Sequence, residues 1–156
     1  MIYNLIFRFM KEDKFLKVDY HRGVISFNGE KWHVFPWRIV QLLLFFDIIL
    51  VRLGVSHEMT VKNYFSPSEE KNRFYGDLEL SQIISQEMCR NVIAFNEEGK
   101  ELWRMEDIKI IEDIYRNDIY TNLYVEGENL YCSNELGVDY RVDPKTGEVL
   151  EKIYTK

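Results

Sequence analysis

The chain has 156 residues, of which 46% are hydrophobic and 29% charged. This composition excludes disordered and fibrous proteins and is sufficient for a hydrophobic core in a single domain spanning 1–156. The formal net charge is −6. An acidic surface repels phosphates and anionic lipids, so we expect no binding to nucleic acid or membranes and favour a basic protein partner. The alternative is that the acidity serves only solubility.

The first 36 residues predict N-terminal strands and one hairpin. In "VISFNGEKWHVF" (24–35), Asn28-Gly29 lies between two runs rich in β-branched and aromatic residues. Both turn residues tolerate the positive φ of a type I′ turn, so we expect a tight hairpin here. Pro36 follows and ends the second strand or places its end at a sheet edge.

The most apolar segment is "IVQLLLFFDIILVRL" (39–53). Periodicity allows either two short strands that turn near Phe46-Asp47 or one buried helix. We favour strands because Ile and Val are frequent and the flanking segments are β-like. The segment is too short to span a bilayer and contains Gln41 and Asp47, so we expect a soluble, cytoplasmic protein.

Residues 57–90 are mostly polar and predict a short helical insertion between strands. Ser66, Pro67 and Glu69 have the spacing of a capped helix start. The stretch 78–88 then places apolar residues at helical spacing.

Three further hairpins follow the insertion. The first, "VIAFNEEGKELW" (92–103), turns at Asn96–Gly99. The second, 121–134, turns at 126–129, and the third, 137–154, turns at "DPKTG" (143–147). Pro144 fixes φ at the second turn position and Gly147 takes the positive φ, so a tight turn is expected.

Overlaying 92–103 on 140–153 indicates an internal repeat of two units, 37–105 and 106–156, each an antiparallel four-stranded meander. The units resemble β-propeller blades of the quinoprotein and WD-repeat kind, whose outer hairpins often contain the Asp-x-x-Thr-Gly turn present in "DPKTGEVL". "NEEGKELW" has the Gly and Trp of the pattern and lacks the Thr. A closed propeller needs at least about four blades, so the resemblance implies a mainly β partial propeller or sandwich.

The C-terminal hairpin "YRVDPKTGEVLEKIYTK" is also similar to the ends of small bacterial proteins. Some propeller-like fragments of this size act as immunity proteins for secreted toxins. This resemblance implies a protein-binding role. No quinone-binding residue is transferred from the propeller enzymes, because their sites need the whole ring.

The residue types that catalyse reactions or bind metals show no recognisable motif spacing in this sequence. His21, His33 and His57 lie in separate segments, and no Cys-x-x-Cys, phosphate loop or nucleophile elbow occurs. Cys89 and Cys132 are expected to be reduced and buried. We therefore expect no cofactor, no metal and no enzyme activity, with a hydrolase that uses Glu69 and Glu70 as the weaker alternative.

Acidic residues mixed with tyrosines predict a surface that captures a basic protein, most concretely a nuclease toxin whose cleft the carboxylates would occupy in place of phosphates. The alternative is a scaffold subunit that assembles a multi-chain propeller, with homo-oligomers as its consequence. The candidate partner-binding residues are Glu69, Glu70, Asp77, Glu79, Glu112, Asp113, Tyr115, Asp118 and Tyr120.

Overall fold

A computed structural model describes residues 5–8, 15–35, 37–54, 89–114 and 118–155. Its strands are β1 (Leu5–Arg8), β2 (Phe15–Asp19), β3 (Val24–Phe27), β4 (Lys31–Val34), β5 (Arg38–Phe45), β6 (Ile48–Gly54), β7 (Val92–Phe95), β8 (Glu101–Arg104), β9 (Tyr120–Glu126), β10 (Asn129–Asn134), β11 (Val138–Val142) and β12 (Val149–Tyr154). One short helix, α1, spans Ile108–Ile111.

These strands form three antiparallel sheets of four strands, each ordered as in the chain. We call β1–β4 the N-terminal sheet, β5–β8 the central sheet and β9–β12 the C-terminal sheet. The predicted mainly β class is confirmed, and the two predicted four-stranded meanders are the central and C-terminal sheets. In the described part of the chain, no sheet closes into a barrel.

The N-terminal region forms more than the predicted hairpin. The hairpin itself is present as β3 and β4, and Asn28 and Gly29 both have positive φ, of 56° and 72°. β2 then pairs with β3, and β1 pairs with β2. Strands β1 to β4 therefore form a third meander of the same order as the other two.

The apolar segment 39–53 forms two strands, as predicted, and not a helix. β5 pairs with β6, and Phe45 opposite Ile48 is the last pair before the turn. The chain turns at Phe46, which has φ 55°. β6 is buried along almost its whole length, whereas Val40 and Leu44 on the edge strand β5 are exposed. Residues 55–88, which include the predicted helices of the insertion, lie outside the described residues, between the second and third strands of the central sheet.

The three sheets stack face to face through two hydrophobic clusters. The central sheet is buried on both faces, which explains why β6 and β7 are almost continuously apolar. The cluster between the N-terminal and central sheets contains Leu16, Val18, Ile25, Phe27, Trp37, Ile39, Ile49, Val51, Leu53, Ile93 and Phe95. The cluster between the central and C-terminal sheets includes Leu50, Val92, Ala94, Trp103, Met105, Leu123, Leu130, Cys132, Val138, Tyr140 and Val142.

Two turn glycines pack against aromatic rings of the preceding sheet. Gly99, in the β7–β8 turn, has φ +85°, and a Cβ placed on it would lie 2.6 Å from the ring of Phe27. Gly147, in the β11–β12 turn, has φ +76°, and its Cβ would lie 2.5 Å from the ring of Trp103. Glycine is therefore required at both positions for backbone conformation and for space.

Each of these turns also accepts a hydrogen bond from an aromatic heterocycle. His33 Nε2 donates to the carbonyl oxygen of Gly99 at 2.7 Å, and Trp103 Nε1 donates to that of Pro144 at 2.8 Å. His33 lies four residues after Gly29, and Trp103 lies four residues after Gly99. The fourth residue after one turn glycine therefore supplies the N–H donor for the next turn in the stack.

Two amide side chains join the central sheet to β9. Gln41 donates from Nε2 to the Leu123 carbonyl at 2.6 Å and accepts from the Leu123 N–H at 2.9 Å. Asn91, which is fully buried, donates to the carbonyl oxygens of Leu53 and Tyr120 and accepts from the Tyr120 N–H at 3.0 Å. Each amide thus pairs with the β9 backbone as a neighbouring strand would.

We expect Gly147→Ala to lower the free energy of unfolding by about 2–4 kcal/mol, because a side chain at positive φ is strained and the new Cβ overlaps Trp103. The matched control is Gly127→Ala, which has φ +64° and open space around it. It should lose about 1 kcal/mol from backbone strain alone. Urea unfolding measures both, and equal losses would contradict the ring contact.

Asn91→Ala should lower the free energy of unfolding by about 3 kcal/mol. It leaves the polar backbone groups of Leu53 and Tyr120 buried without their partner, and such groups cost about 1–3 kcal/mol each. Asn129→Ala, in the exposed start of β10, serves as the control and should change stability by less than about 0.5 kcal/mol. Similar values for the two variants in urea unfolding would refute the role given to Asn91.

Candidate functional site

The net charge of the protein is confined to its C-terminal third. Residues 106–156 contain twelve Asp and Glu against six Lys and Arg, an excess of six negative charges. Residues 1–105 contain fourteen of each and are neutral. The unit that contains the C-terminal sheet is therefore the acidic part of the molecule.

Four of the nine predicted partner-binding residues lie in the described part of the chain: Glu112, Asp113, Asp118 and Tyr120. Of these, Asp113 is exposed, directly after α1, where it has φ 52°. The other five, Glu69, Glu70, Asp77, Glu79 and Tyr115, lie outside the described residues.

Tyr120 and Asp118 are buried, contrary to the expectation that they contact a partner. Tyr120 begins β9 facing the central sheet, its hydroxyl donates to the Glu106 carbonyl, and burial raises its pKa. Asp118 is only 8% exposed and accepts a hydrogen bond from the Ile119 N–H. Neither side chain reaches the surface on which a partner would bind.

Glu112 anchors the segment that follows β8 to the C-terminal sheet. Its Oε1 accepts from the Tyr140 hydroxyl at 2.8 Å, and its Oε2 accepts from Lys152 Nζ at 3.5 Å and the Tyr154 hydroxyl at 3.4 Å. Burial, followed by the hydrogen bond to Glu112, raises the pKa of Tyr140. Glu112 therefore has an intramolecular role, whereas its neighbour Asp113 is exposed.

The strand register defines a second set of side chains that face away from the central sheet. Tyr124 lies opposite Tyr131, Tyr131 opposite Arg141, and Arg141 opposite Glu151. Asp139 is two residues from Arg141 on the same face. We call these five residues the outer face, since the intervening residues of β9, β10 and β11 belong to the core.

The outer face combines stacked tyrosines with charged groups. The rings of Tyr124 and Tyr131 are stacked, with centroids 4.9 Å apart and planes 11° apart. The Tyr124 hydroxyl donates to Asp139 Oδ2 at 2.8 Å, and Arg141 Nε lies 3.1 Å from Glu151 Oε2. Tyrosine and arginine are the residue types enriched at energetic hot spots of protein interfaces, so this face has the composition of a binding surface.

Glu151 occupies the position that supplies N–H donors in the two earlier sheets. It lies four residues after Gly147, as Trp103 follows Gly99 and His33 follows Gly29. Here the residue is a carboxylate, which only accepts hydrogen bonds when ionised. At this position the C-terminal sheet therefore presents a hydrogen-bond acceptor, whereas the N-terminal and central sheets present donors.

Sequence reasoning missed all five outer-face residues. Alternation along β9 and β10 groups Tyr124 with Tyr131 on one face, but only the stacking of the sheets shows which face is outward. The overlay of 92–103 on 140–153 contains one signal for this face, because it aligns the N–H donor Trp103 with the carboxylate Glu151.

The described residues offer little for metal or covalent chemistry. They contain no group of three or more His, Cys, Asp or Glu placed to hold a metal ion. Cys89 and Cys132 are buried free thiols, and burial raises the pKa of each, which disfavours the reactive thiolate. No helix in the described ranges is long and apolar enough to cross a membrane.

The tyrosines predict a loss of stability at alkaline pH. Burial, then the hydrogen bond to Asp139, raises the pKa of Tyr124 from 10.0 to about 12, and the pKa values of Tyr120 and Tyr140 are also raised. The folded state thus holds these protons more tightly than the unfolded chain. The part that Tyr124 contributes is complete below pH 10 and is lost as the pH rises through 12.

Urea unfolding against pH, together with the ultraviolet absorbance of tyrosinate, measures this effect. Asp139→Asn should lower the pKa of Tyr124, because it removes the carboxylate that holds the phenolic proton. A folded protein in which all ten tyrosines titrate at the ordinary value would contradict it.

Comparison with known families places the chain in one of them. No curated protein matches the chain. A family model described as a domain of unknown function, DUF7957, matches residues 74–154, just over half of the sequence. The match includes β7 to β12, and with them Trp103, the turn at Gly147 and the outer face. The protein therefore belongs to the DUF7957 family.

Proposed function

We propose that this protein is a non-enzymatic binding protein that neutralises a basic protein partner, most concretely an immunity protein against a secreted nuclease toxin. The observation on which this proposal depends is the confinement of the whole net charge of −6 to residues 106–156. A nuclease cleft is lined with cationic groups that hold phosphates. Carboxylates of the acidic unit would occupy that cleft and exclude the substrate.

The arrangement of side chains supports a binding role for the acidic unit. The outer face presents the half-buried ring of Tyr124 together with charged groups, so a partner would gain both apolar burial and charge complementarity. Asp113 adds an exposed carboxylate at the end of α1. Long-range attraction between this unit and a cationic cleft would speed association.

A scaffold subunit of a multi-chain propeller is the second candidate, favoured by the incomplete stack of three sheets. Its weakness is the outer face, where a further sheet stacked in the same way would place a turn carbonyl oxygen against the carboxylate of Glu151, so that two acceptors would meet. Light scattering at micromolar concentration separates the two candidates, since a ring requires an oligomer.

The direct test takes the product of the neighbouring gene as the candidate toxin. Adding the purified protein should abolish nuclease activity at equimolar ratio, and the two should elute together on gel filtration. Inhibition should weaken as ionic strength rises, because salt screens the attraction. An unrelated basic nuclease serves as the control and should remain active. Unchanged toxin activity with no co-elution would reject the proposal.

A further inference from the structure

We propose that the outer face is the interface for the partner, and that Glu151 accepts a hydrogen bond from a guanidinium group of an arginine on that partner. This inference deepens the proposed function and rests on it, since it names the surface and the chemistry by which a basic protein is recognised. It comes from the comparison of one position in the three successive sheets.

Inside the stack, the fourth residue after a turn glycine binds the next sheet. His33 and Trp103 each face the next sheet, where their ring N–H groups donate to the carbonyl oxygens of Gly99 and Pro144. In both cases a ring N–H of one sheet donates to a backbone carbonyl oxygen in a turn of the next sheet. Glu151 faces the equivalent direction on the C-terminal sheet, because it pairs with Arg141 on the outer face.

The outer face is unsuited to a further sheet stacked in the same way, whether that sheet comes from this chain or from a second copy. The turns of this protein present carbonyl oxygens to the layer before them. A carbonyl oxygen facing Glu151 would place two acceptors together, which is unfavourable. The occupant of the outer face must donate hydrogen bonds, and a cationic side chain satisfies this need with charge as well.

Arginine is the cationic side chain that matches the outer face. Tyr124 supplies a half-buried ring, on which a guanidinium stacks more effectively than an ammonium, whereas Tyr131, stacked against it, is only 9% exposed. Asp139 and Glu151 supply carboxylates on the same face. Arg141 already shows the pairing, since it lies opposite Tyr131 and contacts Glu151 through one carboxylate oxygen.

The existing contact between Arg141 and Glu151 does not prevent this binding. The two side chains are 31% and 52% exposed, and ion pairs at such exposure contribute little to stability. Glu151 can therefore be shared between Arg141 and an incoming arginine at small cost.

The experiment titrates the full-length, isotope-labelled protein with an arginine-rich peptide and follows backbone amide shifts by nuclear magnetic resonance. The control peptide has citrulline in place of arginine, which preserves shape and removes the charge. We expect the largest shifts at Tyr124, Tyr131, Arg141 and Glu151, and no binding of the citrulline peptide. Shifts spread evenly over the carboxylates of the acidic unit would overturn the inference.

Matched variants test the role of Glu151. Glu151→Gln should weaken peptide binding about tenfold, which corresponds to the loss of one charge-assisted hydrogen bond. Glu30→Gln removes the same charge from the exposed β3–β4 turn of the N-terminal sheet and should change affinity by less than about twofold. Equal effects of the two variants would show that only net charge matters and would refute the assigned contact.

The same variants distinguish this inference from the proposed function. If the toxin is neutralised equally by wild type and Glu151→Gln, the interface is elsewhere and the inference is wrong, while the proposed function holds. If the arginine peptide binds the outer face but no toxin is inhibited, the inference holds and neutralisation is rejected.

Discussion

The structure depends on the contact between a turn glycine and an aromatic ring of the preceding sheet. Apolar faces attract each other without direction, so burial alone does not determine how one sheet lies on the next. The glycines at 99 and 147 admit the rings of Phe27 and Trp103 where a side chain would otherwise be. The heterocyclic N–H groups then bind the turn carbonyls and set the position of each sheet on its neighbour.

The two amide side chains that join the central sheet to β9 also fix how neighbouring sheets are placed. Gln41 is half-buried and Asn91 is fully buried, and each satisfies its amide through the backbone of β9. Buried polar groups are costly unless every partner is present, so such bonds permit one register and penalise the others. The apolar clusters supply most of the driving force, and the amides select the arrangement.

The C-terminal sheet ends the series and differs from the others on one face. Its inner face continues the core, whereas its outer face has tyrosines and charged residues in alternation with that core. Terminal units of stacked repeats need a polar outer face for solubility. Here that face lies in the unit that contains all of the net charge, which is why we propose it as the surface for a cationic partner.

The sequence by itself determined the local structure of this protein: the mainly β class, the hairpins at 24–35, 92–103, 121–134 and 137–154, and the turn at Phe46-Asp47. Turn residues and alternation over a few positions are local properties, so a single sequence displays them. Only the tertiary structure decided which face of each strand is outward, because shifting the register by one residue exchanges the two faces. For that reason Tyr120, expected at a surface, is in the core, and Glu151, the fourth residue after a turn glycine, faces outward at the end of the stack.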